Sequence, residues 1–109
     1  MSGYYELKKS GATGYIFNLK AGNHEVILTS ETYDSKDGAK TGIASVQTNS
    51  PKDDRYECKT AKDGSPYFVL TAANGLTIGK SEMYSSASAR DNGIVSVKTN
   101  GPTSTIKEV

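Results

Sequence analysis

Ser30–Ser35 reads SETYDS and Gly42–Pro51 reads GIASVQTNSP; fifty-one positions later Ser81–Ser86 reads SEMYSS and Gly93–Pro102 reads GIVSVKTNGP. Working outward from these segments, residues 5–52 align with 56–103 without a gap, and nineteen of the forty-eight pairs are identical. Tyr5/Tyr56, Phe17/Phe68, Leu19/Leu70, Tyr33/Tyr84 and Ile43/Ile94 are among them. The chain is therefore a duplication. Propellers and solenoids need three or more copies to bury their faces. Two copies in one small domain are expected to clasp about a pseudo-twofold axis, each supplying half of a shared core. The 109 residues suffice for one domain, with copies at about 4–54 and 55–109.

Within a copy the hydrophobic period is first two and then near 3.6, so strands precede a helix. Tyr5 and Leu7 alternate with Glu6 and Lys8. Tyr15, Phe17 and Leu19 share the face of a second strand, and Val26, Ile27 and Leu28 open a third. Asp63-Gly64, Gly22-Asn23 and Asn74-Gly75 supply tight-turn chemistry between strands. Ser35 and Ser86 are placed as N-caps, ahead of stripes at Ala39, Gly42, Ile43, Val46 and at Gly93, Ile94, Val97. Asn49 and Asn100 suit a left-handed C-cap, and Pro51 and Pro102 stop the helices. Gly42 and Gly93 fall inside helices, where glycine costs about 1 kcal/mol against alanine, so close backbone approach is expected there. The fold class is α+β: two tandem β-β-β-α(-β) repeats forming one antiparallel sheet with two helices on one face. A short last strand is expected near Thr105–Glu108.

Composition excludes several functions. Net charge is +1, and residues 1–54 and 55–109 carry −1 and +2. No basic stripe marks a dedicated nucleic-acid binder. No 18-residue apolar run exists to span a bilayer. No apolar stretch follows Met1-Ser2-Gly3 as a secretory leader would require. With one cysteine, neither a disulfide nor a thiolate metal cluster forms within the chain. The expected home is the cytoplasm.

The segments LKAG (Leu19–Gly22), EVILTSETY (Glu25–Tyr33), GIASVQTNSP (Gly42–Pro51) and SEMYSS (Ser81–Ser86) resemble the YegP-like family of small bacterial proteins of unknown function. The resemblance covers both copies. It implies a β-β-β-α-β unit, duplicated, whose two units build one sheet by exchanging C-terminal strands; single-repeat members pair as dimers. It transfers no catalytic residue.

The doubled Ser-Glu-x-Tyr-x-Ser motif is the candidate site, with Glu31, Tyr33, Glu82 and Tyr84 as ligand-binding residues. A carboxylate and a phenol at alternate positions point the same way and can grip a polar ligand. The competing reading makes the tyrosine pack on the helix start while the glutamate and serines tie down the corner. His24, the only histidine, is expected to be solvated at a hairpin, and Cys58, aligned with Leu7, to be a buried packing thiol. Tyr4, Tyr67 and Val69 would form an open sheet face for base stacking, a weak option without a basic border. No catalytic residue, metal or cofactor is assigned, since neither G-x-S-x-G nor a phosphate-loop pattern occurs. The expectation is a monomeric, non-enzymatic interaction module whose partner is a protein or peptide. A small-ligand protein or enzyme using the paired motifs is the alternative.

Overall fold

In a computed structural model, residues 3–109 are described; the Met1-Ser2 start lies outside them. Seven strands and two helices follow in the order β1 (Tyr4–Ser10), β2 (Gly14–Lys20), β3 (Val26–Ser30), α1 (Lys36–Asn49), a 3₁₀ turn (Asp53–Arg55), β4 (Tyr56–Thr60), β5 (Pro66–Thr71), β6 (Thr77–Lys80), α2 (Ala87–Asn100) and β7 (Ile106–Glu108). The two copies join into one sheet, ordered β4-β5-β6-β3-β2-β1-β7. At its centre β3 and β6 pair antiparallel with Thr29 opposite Lys80. These two residues are each other's repeat equivalents, so the pseudo-twofold axis passes between them.

The symmetry is locally broken there by packing. A Cβ on Gly79 would lie 2.7 Å from the Leu28 side chain. Leu28 is its repeat equivalent and is fully buried. The shared space beside the axis holds one large side chain, and the first copy supplies it.

Both helices cover one face. The buried cluster beneath them joins Tyr5, Leu7, Phe17, Leu19, Leu28, Ile43 and Val46 to Phe68, Leu70, Ile78 and Val97. Ser35 and Ser86 accept from the amides of Gly38 and Ala89, each at 3.0 Å, as N-caps do.

The C-termini differ from the sequence expectation. Asn49 and Asn100 are not left-handed, for His24 alone among described non-glycine residues has positive φ. Their Nδ2 groups donate to the Ser45 and Ser96 carbonyls, both at 2.8 Å. The helical backbone continues through Ser50 and Gly101, because their carbonyls find partners from the other copy. Tyr56 Oη donates to Ser50 O at 2.7 Å and Tyr5 Oη to Gly101 O at 2.6 Å. Each copy's first strand thus caps the other copy's helix.

Burial pushes the Tyr5 phenol far above its usual pKa, with nearby Tyr56 adding to the rise. A phenol with a raised folded-state pKa lends stability that is complete below the unfolded value of about 10 and is lost as pH climbs toward the folded one. Chemical denaturation between pH 9 and 11.5 should show stability falling by up to about 1.4 kcal/mol per pH unit for this group. Tyr5→Phe should flatten the slope; equal slopes in both proteins would contradict the assignment.

The sheet is mixed rather than wholly antiparallel. β7 runs parallel to β1, with Tyr5, Glu6 and Leu7 opposite Ile106, Lys107 and Glu108. The crossing of a C-terminal strand to the other copy is also one-sided. After α2 the chain lays β7 beside β1, whereas after α1 it becomes β4. Nothing among the described residues lies outside β4. Consequently Leu7 is 1% exposed, while its equivalent Cys58, expected to be buried, is exposed.

Candidate functional site

The doubled motif is divided between the two faces of the sheet. Ser30 and Ser81 accept from the amides of Phe17 and Phe68 at 2.9 and 3.0 Å, fixing the strand ends. Tyr33 exchanges two backbone hydrogen bonds with Tyr15. Tyr84 makes one, to Pro66 O, since proline in the Tyr15 position has no amide to return. Each tyrosine then turns toward its helix. Tyr33 stacks on Phe17 at 6.1 Å between centroids, and Tyr84 on Phe68 at 6.2 Å. A Cβ on Gly42 would sit 2.6 Å from Tyr33 Cζ and overlap its hydroxyl; Gly93 and Tyr84 repeat the arrangement. The glycines are where the helix makes room for the phenols. Burial raises the pKa of both phenols, aided by Glu31 beside Tyr33 and by Glu82 and Glu25 beside Tyr84.

The carboxylates go elsewhere. Glu31 and Glu82 are exposed and form no hydrogen bond or ion pair through their side chains among the described residues. They face each other across a cleft of about 360 Å³ lined also by Val26, Thr29, Ser30, Lys80 and Ser81. Thr29 bonds to Asn18 at 3.1 Å and Lys80 lies 4.9 Å from the Tyr67 ring centre, so the cleft opens on the face without helices. A second cleft of about 210 Å³ adjoins it, sharing Val26 and Glu82, where Glu82 and Tyr84 approach Asn92 and Gly93 of α2. The four candidate residues therefore do not bound one cavity. Glu31 meets Glu82 on the axis, Glu82 also meets Tyr84, and Tyr33 belongs to the core.

Away from the axial cleft, the helix-free face is largely covered by its own side chains. Lys107 lies 4.3 Å from the Tyr4 ring centre, Tyr4 Oη bonds His24 Nδ1 at 3.0 Å, and Lys20 pairs with Glu6 at 3.2 Å. Tyr4 is only 8% exposed and Val69 5%. The surface that the weak base-stacking option would have needed is closed at Tyr4 and Val69, because lysine stems and cross-strand partners cover it. His24 is exposed, as expected, and Tyr4 is its partner. No group of His, Cys, Asp and Glu suited to a metal occurs among the described residues, and no helix of the described chain is long and apolar enough to cross a membrane.

Sequence reasoning missed the difference between the two outer strands. β1 is bonded to β7 through Tyr5 N to Thr105 O and Val109 N to Leu7 O, both 2.9 Å. In β4 the Tyr56 amide closes the 3₁₀ turn on Asp53 O instead, and the Cys58 carbonyl has no strand outside it. The signal lay in the sequence: residues 104–109 follow the second copy, with nothing free to play their part after the first.

A family model described as a domain of unknown function, DUF1508, matches twice, over residues 11–57 and 61–108. A UPF0339 protein of Bordetella pertussis is 65% identical over 108 residues, spanning 99% of this chain and 96% of that protein. The solution NMR structure of a UPF0339 protein from Shewanella oneidensis superposes with a TM-score of 0.92 at 61% identity, over 99% of this chain and 92% of that one. That of yegP from Escherichia coli, described as a protein of unknown function, gives 0.93 at 55% identity, over 99% and 93%.

Proposed function

The chain belongs to the DUF1508 family, as its repeated motifs anticipated, and from that premise we propose that it is a non-enzymatic, monomeric cytoplasmic module that binds another polypeptide. The observation that carries this reading is the bare outer edge of β4. By the alternation seen in β1, Cys58 and Thr60 turn their backbone groups away from β5 beside an exposed flank, Glu57–Thr60, while the Tyr56 amide is held by Asp53 O. Such an edge is a template for an added strand. The tyrosines and serines of the doubled motif are spent on packing and capping, which leaves no nucleophile–base pair of the kind acyl or phosphoryl transfer requires.

A second reading is favoured by the axial cleft, where two free carboxylates flank Lys80 and offer polar contacts to a small cationic or zwitterionic ligand. One titration separates the two. Pools of extended peptides added to ¹⁵N-labelled protein should shift amides along β4, and Glu31→Gln/Glu82→Gln should leave those shifts unchanged. Both carboxylates are exposed, so the double variant should melt within about 0.5 kcal/mol of the parent. Shifts centred on the cleft and lost in the double variant would favour the small-ligand reading. A spectrum that no peptide moves would overturn the binding reading.

A further inference from the structure

The repeat supplies its own template for what sits on β4. Applying the pseudo-twofold relation to β7 on β1 places a strand outside β4, parallel to it, with its residues opposite Tyr56, Glu57 and Cys58. On β1 that strand is held by Thr105 O and Val109 N, and by Glu108, which meets Lys36 at 2.8 Å and Lys40 at 3.6 Å on α1. The corresponding positions on α2 are Ala87 and Asp91. A glutamate in the matching place would lose both lysines and face a carboxylate. Arg90, in the position of Ala39, does approach this seat, but its Nε and Nη2 both donate to Asp91 Oδ1, at 3.3 and 3.1 Å. Asp91 Oδ2 has no partner among the described residues, and the Asp91 side chain is 64% exposed against 19% for Arg90. The more accessible charge at the seat is therefore negative.

Resting on the reading of β4 as a binding edge, we infer that its occupant is an extended segment of a different protein, added parallel to β4. The segment carries a basic residue opposite Cys58, on the helix side beside Asp91. A second copy of this chain is a poor occupant: its matching strand is already seated on its own β1 and brings Glu108 to the wrong charge. The backbone supplies the affinity, and Asp91 supplies the choice.

The test uses the full chain and two synthetic heptapeptides, Thr103–Val109 (TSTIKEV) and the same peptide with Glu108→Lys (TSTIKKV). The lysine peptide should shift the amides of Cys58 and Thr60 and bind about threefold more tightly, the scale of one exposed ion pair. Asp91→Lys, on a solvent-facing helix position, should reverse the order of the two peptides. N-methylation at the peptide's Val109 position should abolish the β4 shifts, because that amide donates to the edge. Shifts that fall away from β4 overturn this inference while leaving a polypeptide-binding role standing. Equal or tighter binding of the glutamate peptide, or self-association of the chain through β4 amides, overturns it in favour of a second copy. If neither peptide moves any amide, the inference fails as well.

Discussion

Gly42→Leu is expected to lower stability by about 3 kcal/mol, or roughly 15 °C in melting temperature for a domain of this size. The direction runs against helix propensity, since replacing a mid-helix glycine by a better helix former ordinarily stabilises by about 1 kcal/mol. It is reversed here because even a methyl group meets the Tyr33 phenol and lies 3.0 Å from Phe17 Cε2. Phe17 is fully buried and Tyr33 stacks on it, so neither ring yields without disturbing the core. Thermal melts of Gly42→Leu beside Ala44→Leu, one turn face away and exposed, separate packing from propensity: the Ala44 variant should stay within about 0.5 kcal/mol of the parent. In a double-mutant cycle, Gly42→Ala and Tyr33→Ala should cost less together than the sum of their separate costs, by about 1 kcal/mol. An unchanged melting temperature for Gly42→Leu would refute the close-approach account.

The second large effect is a difference between equivalent positions. Leu7→Ala should cost about 3 kcal/mol, whereas Cys58→Ala should change stability by less than about 0.5 kcal/mol. Both residues occupy the same place in their copies, on the helix side of an outer strand. Leu7 is closed in by β7 and by α1, whose lysines hold Glu108 across it. Cys58 has no such cover. Urea denaturation of the two variants measures the contrast directly. Similar costs at the two positions would mean that β7 does not bury β1, and would remove the basis for treating β4 as the unfilled counterpart.

The sequence was most legible where structure depends on neighbours along the chain. Asp63-Gly64 and Asn74-Gly75 as turns, Ser35 and Ser86 as caps, and the stripes at Ile43 and Val97 are local signals that appear where they were expected. At Gly22-Asn23, by contrast, the left-handed residue is the next one, His24. The departures share another cause. Asn49 and Asn100 keep helical geometry because Tyr56 and Tyr5 arrive from the other copy to satisfy the carbonyls beyond them. Tyr4 is covered by Lys107, more than a hundred positions away. Cys58 is exposed because a strand that exists once cannot serve two edges. A symmetric sequence pattern predicts symmetric surroundings, and a continuous chain with two ends does not provide them. The candidate motif was legible as a unit, but its division was not: whether Glu31 and Tyr33 share a pocket depends on the side of the sheet to which the chain turns after β3.

The parallel pairing of β1 with β7 also sets an order of events. Tyr5 belongs to β1, and the carbonyl that its hydroxyl caps is 96 residues later. Leu7 waits equally for Glu108. At ordinary translation rates of 5–20 residues per second, that separation is on the order of ten seconds. During this interval the first copy can form its hairpins, yet its edge and its helix end lack their final partners. Completion therefore waits for β7 and the end of α2, and until they are made β1 has no neighbour on its outer side. Duplication joined two half-cores in one polypeptide and left the closing step to β7.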